Sequence, residues 1–355
     1  MNKVIITLVA SDLKEFKGGT SRYGNNLVKY NIGKKSFFKY KILTIENYKH
    51  ISFLNKHGFI RDFIYTMPLN FITSFNSSNI LHQIEPILNY NINFTNKKKL
   101  ITTIHDIMPI SNPEFLLTPT SYINNMLINL KLNKINYAIK NSDFILVNST
   151  QTREEVIKNF DIEKNRVRVT NFGVDKRFLS KINLKKNKKF VIGYLGALDL
   201  RKNVIFAFKA FDHVEKFNKS IKFYIYGKNY INLHTNQKNI IFKNIASEEM
   251  LVNIYDSFNV FVFPSLYEGF GLPILEAQSR GLPVIIYKYG KIPKEVRKYC
   301  FEAESPEHMA QIIENIKENG YNEKLRKKAT EYARSFTWEK CARETLEVYK
   351  KVLEK

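Results

Sequence analysis

Short, mostly apolar runs recur along the chain, and the intervals between them are long enough to hold helices. The runs cover residues 4–9, 101–104, 144–147, 191–195, 222–226, 260–263 and 284–287. A short apolar run is typical of a strand that is buried on both faces, and strands that are separated by helices form parallel sheets. The pattern therefore predicts an α/β protein with parallel sheets.

A stretch rich in Lys and Asn, residues 175–189, interrupts this alternation near the middle of the chain. With 355 residues, the chain is long enough for two α/β domains with separate cores. We therefore expect a domain boundary near residue 180, with a second domain over residues 181–337. The last stretch, 338–355, has apolar residues near helical spacing and predicts a terminal helix.

The most informative polar residues follow the apolar run 260–263. Glu268 and Glu276 lie on either side of Gly269 and Gly271, in the sequence Glu-Gly-Phe-Gly-Leu-Pro-Ile-Leu-Glu. Glycines let the backbone approach a ligand, and the start of a helix offers N–H groups to an anion. A carboxylate accepts hydrogen bonds from neighbouring sugar hydroxyls. The combination predicts a sugar-nucleotide site; the alternative for such a short motif is a surface loop with solvated glutamates.

This segment resembles the Glu-x7-Glu signature of the retaining glycosyltransferases of the glycogen-synthase-like family 4 (glycosyl transferases group 1). The resemblance implies the GT-B fold, in which two Rossmann-like domains with parallel sheets face each other across a cleft. It also implies that residues 1–180 form the acceptor-side domain, residues 181–337 the nucleotide-sugar donor domain, and 338–355 a helix that crosses back to the first domain. The implied activity is the transfer of a hexose from a nucleotide-diphosphate sugar to an acceptor hydroxyl, with retention of configuration.

Three further motifs resemble those of the same family and follow its order. They are Gly18-Gly19 with Arg22, His105-Asp106, and Gly196 with Arg201-Lys202. A glycine pair at a strand-to-helix turn can bind phosphate oxygens, and an Arg-Lys pair can neutralise a diphosphate without a metal ion. Taken alone, each motif has a plain alternative: a simple turn, a structural histidine or a solvated pair of cations.

The resemblance assigns roles to individual residues. Catalytic roles are implied for His105, Arg201, Lys202 and Glu268. Donor binding is implied for Gly18, Gly19, Gly196, Gly269, Phe270, Gly271, Leu272 and Glu276. Arg22 and Asp106 are assigned to the acceptor side, although Asp106 can also orient His105 or cap the next element.

No Asp-x-Asp metal motif occurs in the sequence, and we expect a metal-independent reaction that requires no cofactor beyond the nucleotide-sugar donor. Two other functions stay open at this point. One is a sugar-nucleotide epimerase on the same scaffold, which the fold alone does not exclude. The other is a non-catalytic basic protein that binds sugar or nucleic acid.

The formal charge of +23 is concentrated in the first part of the chain. Residues 1–190 hold 30 basic against 13 acidic residues, which is +17 of the total. Such a surface can attract an anionic membrane, a phosphorylated acceptor or nucleic acid, or it can simply be solvated. Because no nucleic-acid motif accompanies the charge, the expected partners are a nucleotide sugar, a glycan, lipid or protein acceptor, and an anionic membrane surface.

Cysteine content and hydropathy indicate the cellular compartment in which the protein functions. Cys300 and Cys341 offer no disulfide framework, and no apolar run approaches the roughly 18 residues of a membrane span. The first ten residues lack a small-residue cleavage site and predict a strand rather than a signal peptide. We therefore expect a cytoplasmic protein that can touch the inner face of the membrane.

Overall fold

A computed structural model of the chain describes residues 4–10, 19–31, 38–44, 78–86, 98–116, 122–182, 189–217, 220–243 and 247–354. The chain divides into two compact units, residues 1–172 with 338–355, and residues 173–337. The first crossing between the units therefore lies a few residues before the boundary near 180 that the sequence suggests. No helix in the described part of the chain is long and apolar enough to span a membrane.

The strands are β1 (Val4–Ala10), β2 (Phe38–Thr44), β3 (Ile80–Gln83), β4 (Lys99–Ile104), β5 (Phe144–Val147), β6 (Val167–Val169), β7 (Val191–Leu195), β8 (Lys222–Tyr226), β9 (Ile240–Lys243), β10 (Val260–Phe263), β11 (Val284–Tyr287) and β12 (Phe301–Ala303). The helices are α1 (Gly19–Asn31), α2 (Met108–Ser111), α3 (Tyr122–Asn141), α4 (Thr150–Phe160), α5 (Val204–Phe217), α6 (Met250–Asp256), α7 (Leu272–Ser279), α8 (Lys294–Arg297), α9 (Pro306–Asn319), α10 (Glu323–Arg334) and α11 (Trp338–Leu353). Short 3-10 turns lie at Pro113–Leu116, Lys164–Arg166 and Lys176–Leu179.

The first unit is built on a parallel sheet whose described strands are ordered β2-β1-β3-β4-β5-β6. Ile139 of α3 and Val156 of α4 join Ile104 and Val147 of the sheet in one apolar cluster. Helix α11 packs against α1 and buries Trp338. The end of the chain is thus part of the first unit, although it follows the second unit in sequence.

The second unit is a parallel sheet with the strand order β12-β11-β10-β7-β8-β9. Numbered from the start of this unit, the order is 3-2-1-4-5-6, which is that of dinucleotide-binding Rossmann folds. The direction of strand addition reverses between β7 and β10, which are direct neighbours. Ligands of open α/β sheets bind beyond the carboxyl ends of the strands at such a reversal. The loops after β7 and β10 are therefore the first place to search for a site.

Arg280, which follows α7, is fully buried and holds three parts of the second unit together. Its Nε and one Nη each donate to the Asp256 carboxylate at 2.7 Å, and its guanidinium also donates to the carbonyl groups of Phe178, Ser180 and Lys181. A buried guanidinium is tolerated only when its charge and its N–H groups are satisfied in this way. The segment that opens the unit is thereby fixed to α6 and α7.

Candidate functional site

The loop after β7 brings two cations toward the loop after β10. The backbone N–H of Lys202 donates to Asp199 Oδ1 at 2.8 Å, and Asn203 adopts the left-handed conformation with φ +49°. The carbonyl of Arg201 accepts from Leu266 N at 2.8 Å. This backbone bond joins the two loops at the edge of the sheet, so that Arg201 and Lys202 lie beside the acidic segment that begins at Glu268.

Glu268 makes ion pairs with both cations. Lys202 Nζ lies 2.5 Å from Glu268 Oε1, and Arg201 Nη1 lies 3.3 Å from Oε2. Lys202 and Glu268 are 8% and 7% exposed, and Lys202 Nζ also lies 4.8 Å from the ring centroid of Phe263. Arg201 Nη1 donates in addition to the carbonyl of Tyr267 at 2.9 Å. A compact cluster of two cations and one carboxylate therefore lies at the edge of β7 and β10.

The pKa values in this cluster follow from burial and charge. Burial alone raises the pKa of the Glu268 carboxyl, but Lys202 and Arg201 outweigh it and hold that pKa below its ordinary value. Burial lowers the pKa of the Lys202 ammonium, and Glu268 offsets this only in part. Glu268 is therefore a carboxylate at neutral pH.

The glycines after Glu268 lead directly into α7. Gly271 has a φ of +103°, which other residues rarely adopt, and it precedes Leu272, the first residue of the helix. Phe270 is buried and lies edge-on to Phe336, with 6.2 Å between ring centroids. The first N–H groups of α7 thus follow Glu268 after only three residues, and such groups at the start of a helix favour a negative ligand.

Glu276 lies one turn into α7 and is only 2% exposed. Its Oε2 accepts a hydrogen bond from the Tyr255 hydroxyl of α6 at 2.8 Å. Tyr255 is itself fully buried, and its ring lies edge-on to those of Phe178 and Phe261. The carboxylate orientation is therefore set by a tyrosine whose own position is fixed by aromatic packing.

Gly196 directly follows β7 and closely approaches the loop after β8. Its N–H donates to the carbonyl of Tyr226 at 2.9 Å. A Cβ added to Gly227 would lie 1.8 Å from the Gly196 carbonyl oxygen, so only glycine permits this contact. The loops after β7, β8 and β10 thus converge at one edge of the second sheet, and they bring together Gly196, Arg201, Lys202 and Glu268.

His105 follows β4 at the corresponding edge of the first sheet. Its Nε2 lies 3.0 Å from the carbonyl of Ile84, so that Nε2 carries the proton and donates. Nδ1 is buried and has no hydrogen-bond partner within the described parts of the chain. Burial lowers the pKa of His105 to about 4, although the Ile84 carbonyl acts in the opposite direction. The neutral ring presents an acceptor nitrogen, and it packs against the rings of Tyr23 and Phe172, with 5.6 and 5.5 Å between ring centroids.

The other residues assigned to the first unit have more varied positions. Asp106 Oδ1 accepts from the N–H of Met108, the first residue of α2, at 3.2 Å, which is a local side-chain-to-backbone turn. Gly19 is the first residue of α1, and Arg22 lies on the same helix next to Tyr23. Gly18 lies outside the described residues. The carbonyl of Arg22 accepts from Asn26 Nδ2 at 2.8 Å, and Tyr23, the next residue, packs against His105.

Two contributors to the site were not found from the sequence. Tyr255 precedes Glu276 by 21 residues, and nothing in its local sequence marks it as a partner of a carboxylate. Lys291 belongs to no motif in the sequence, yet its carbonyl accepts from Glu268 N at 2.9 Å and its N–H donates to Leu266 O at 2.8 Å. Within the described ranges, no group of three or more His, Cys, Asp or Glu side chains is arranged to hold a metal ion.

The chain is similar in sequence to known glycosyltransferases. The family model of the glycosyl transferases group 1 matches residues 175–336, which contain the whole ion cluster and α7. A curated relative, O-antigen chain mannosyltransferase B of Escherichia coli, is 24% identical over 276 residues, which cover 71% of this chain and 70% of the relative.

Solved structures show the same fold. Sucrose-phosphate synthase from Thermosynechococcus elongatus superposes with a TM-score of 0.74 at 15% identity and covers 99% of this chain and 100% of its own. The Anabaena protein Alr3699/HepE, solved in complex with UDP and glucose, has a TM-score of 0.65 at 13% identity, with coverage of 97% and 99%. With the two parallel sheets, these likenesses confirm the predicted α/β fold class of the GT-B type. Over residues 175–336, the protein is similar to the glycosyl transferases group 1 family.

Proposed function

We propose that this protein is a retaining, metal-independent glycosyltransferase that moves a hexose from a nucleotide-diphosphate sugar to an acceptor hydroxyl. The observation that carries the proposal is the convergence of Arg201, Lys202 and Glu268 at the reversal point of the second sheet, directly before the start of α7. Two cations and a helix N-terminus are suited to a diphosphate, and the carboxylates are suited to sugar hydroxyls.

In this mechanism the bond between the anomeric carbon and the diphosphate oxygen breaks, and the acceptor oxygen bonds to the anomeric carbon. The transition state resembles an oxocarbenium ion, and negative charge grows on the departing diphosphate. Arg201, Lys202 and the N–H groups at the start of α7 stabilise that charge. For retention, the acceptor attacks from the face that the diphosphate leaves, and a phosphate oxygen takes the acceptor proton. No side chain is then required as a general base.

The remaining assignments follow from position and chemistry. Glu276, oriented by Tyr255, accepts the ribose hydroxyls of the donor, and Glu268 engages the transferred sugar. Gly196, Gly269, Phe270 and Leu272 form the adjoining backbone. His105 is assigned to the transferred sugar through its acceptor Nδ1, and Gly18, Gly19, Arg22 and Asp106 to the donor and acceptor side of the first unit.

The relatives guide the choice of substrate. Because one curated relative bears the name of an O-antigen chain mannosyltransferase, we propose a glycan as the first acceptor to test and mannose as the first sugar. The structure solved with UDP and glucose makes UDP-glucose the second donor to test. Lipid and protein acceptors follow after these.

We also propose a cytoplasmic location with peripheral contact at an anionic membrane, based on the positive charge in residues 1–190. Sedimentation of the protein with vesicles of phosphatidylglycerol tests this contact. Binding should be strong at low salt and lost at high salt, while vesicles of phosphatidylcholine should not bind. Equal binding to both kinds of vesicle would contradict an electrostatic contact.

The first experiment is a thermal-shift panel of UDP, GDP, ADP and their hexose conjugates, each with and without EDTA. A ligand at about 100 times its Kd adds about 2.7 kcal/mol, which corresponds to a rise in Tm of roughly 5–10 °C for a domain of this size. The expected result is a rise with one nucleotide class that EDTA does not change. No rise with any ligand at millimolar concentration would instead favour the non-catalytic alternative.

Transfer and stereochemistry are tested next, with the selected donor and a glycan acceptor. The anomeric proton coupling of the product, measured by NMR, should show the same configuration as the donor. An inverted product would refute retention, and a donor whose sugar is converted without transfer would indicate the epimerase. Loss of turnover in EDTA would refute metal independence but would leave the proposed transfer reaction intact.

A further inference from the structure

In the structure described above, the two cations assigned to the donor's diphosphate are already paired with Glu268. Lys202 Nζ and Glu268 Oε1 are 2.5 Å apart, and Arg201 Nη1 reaches Oε2 at 3.3 Å. Both carboxylate oxygens therefore face cations. A carboxylate and a phosphate group accept from the same N–H donors with similar geometry, so they compete for the Arg-Lys pair.

Burial makes this pairing necessary when no ligand is bound. Lys202 is 8% exposed and rests on the ring of Phe263, so water cannot fully solvate its ammonium. A buried charge without a partner is strongly unfavourable, and Glu268 supplies the partner. A diphosphate at the same place supplies more negative charge than one carboxylate, and it can replace Glu268 without leaving the cations unpaired.

The backbone around the cluster favours an exchange that involves side chains alone. Leu266 N donates to the Arg201 carbonyl, Lys291 N donates to the Leu266 carbonyl, and Glu268 N donates to the Lys291 carbonyl, at 2.8, 2.8 and 2.9 Å. A Cβ on Gly290 would come within 2.2 Å of the Ser265 carbonyl oxygen, so these loops lie in direct contact. The carboxylate can therefore leave the cations by rotation of its side chain while the loops stay joined.

We propose that Glu268 is an internal competitor of the donor's diphosphate, and that it exchanges places with it during each catalytic cycle. Donor binding moves Arg201 and Lys202 from the carboxylate to the diphosphate and releases Glu268 to the transferred sugar. After transfer, the carboxylate returns to the cations and displaces the nucleoside diphosphate. The inference rests on the proposed function, and it gives Glu268 a second role, in product release, besides its contact with the transferred sugar.

Glu268→Gln provides the test, because the amide keeps the size of the side chain and removes its charge. Binding of inorganic pyrophosphate, UDP and GDP is measured by titration calorimetry in EDTA. We expect the nucleotide that the wild type binds, and pyrophosphate, to bind about 5- to 50-fold more tightly to the variant, in keeping with the strength of a buried charge-assisted contact. Product inhibition should become stronger by a similar factor, while kcat falls.

Glu304→Gln is the matched control. Glu304 Oε1 also lies 2.5 Å from a lysine, Lys288, but this pair is half exposed and outside the cluster. The Glu304→Gln variant loses one negative charge from the same unit, as Glu268→Gln does. Its affinity for the nucleotide should stay within about twofold of the wild type, because an exposed ion pair contributes little. An equal gain of affinity in both variants would reduce the effect to net charge and overturn the proposal.

Glu268→Asp covers the case in which the Gln variant does not fold. Aspartate keeps the negative charge, but its side chain is one methylene shorter, so the carboxylate lies farther from Lys202. Pyrophosphate should therefore bind to the Asp variant more tightly than to the wild type and less tightly than to a folded Gln variant. Unchanged or weaker pyrophosphate binding in both variants overturns the exchange and leaves the cluster a structural ion pair. A wild type that binds no nucleotide at all refutes the proposed function itself, and this result is distinct from the previous one.

Discussion

Removal of the Tyr255 hydroxyl is the most stringent test of the inference that this group positions Glu276. Tyr255→Phe removes one oxygen and keeps the ring that packs against Phe178 and Phe261. The lost hydrogen bond joins that oxygen to Glu276 Oε2 at 2.8 Å, in a place where the tyrosine is fully buried and the carboxylate is 2% exposed. Water cannot easily replace the donor there.

A hydrogen bond to a charged group is worth about 1.5–3 kcal/mol, and a buried acceptor that loses its partner bears most of that loss. Some of the loss should appear as lower stability, because the carboxylate stays buried. If half of it appears in donor binding, about 1 kcal/mol, the nucleotide Kd rises about fivefold. We expect KM for the donor to rise by a similar factor, while kcat changes little, because Glu276 is assigned to the ribose and not to the reacting atoms.

Titration calorimetry with the selected nucleotide and steady-state kinetics measure the two effects, and urea unfolding measures stability. Tyr332→Phe is the control. The Tyr332 hydroxyl lies in the same unit and donates to the Glu295 carbonyl at 2.9 Å, so its removal also costs one hydrogen bond but does not involve Glu276. A Tyr255→Phe protein that is less stable but binds the nucleotide as well as the wild type would refute the positioning of Glu276 by this hydroxyl.

Three further outcomes are expected. Replacement of both Arg201 and Lys202 by Ala should lower the kcat of the folded variant by about 10²–10³-fold. It should also lower the free energy of unfolding in urea, because the buried Glu268 carboxylate loses both cations. Normal turnover would rule out the diphosphate assignment. Arg280→Ala should lower the free energy of unfolding by about 3–5 kcal/mol in urea, because Asp256 keeps a buried charge without a partner, and a loss under 1 kcal/mol would contradict this. Burial lowers the pKa of His82 to about 3, so the imidazole is protonated less readily in the folded protein than in the unfolded chain. The free energy of unfolding should therefore be unaffected by His82 above about pH 6.5 and should fall as the pH drops from there toward 3, by at most about 5 kcal/mol. An acid titration of unfolding that is identical in wild type and His82→Gln would contradict that linkage.

The sequence predicts most interior strands of the two sheets but misses β3, in which the buried polar residues His82 and Gln83 follow Ile80 and Leu81. The apolar runs 144–147, 222–226 and 260–263 coincide with β5, β8 and β10, because a strand that is covered on both faces must be apolar along its length. The three-residue strands β6 and β12 carry no such run, since a strand at the edge of a sheet is buried less and tolerates Arg168 or Glu302.

The site could be predicted only as far as local motifs reach. Glu268 and Glu276 are visible because one strand, one glycine loop and one helix are contiguous in sequence. The pairing of Glu268 with Lys202 joins positions 66 residues apart, and the Tyr255 contact depends on how α6 packs beside α7. Such contacts arise from tertiary packing, which no spacing along the chain encodes.

The bonds of Arg280 also determine where the chain can be divided. A fragment that begins at residue 181, as the Lys- and Asn-rich stretch suggests, would lack the carbonyl groups of Phe178 and Ser180 and leave a buried guanidinium with unused donors. A fragment over residues 173–337 keeps every one of these acceptors. The second unit should therefore be expressed from residue 173 when its nucleotide binding is studied by itself, and a fusion or loop insertion near residue 180 should be avoided.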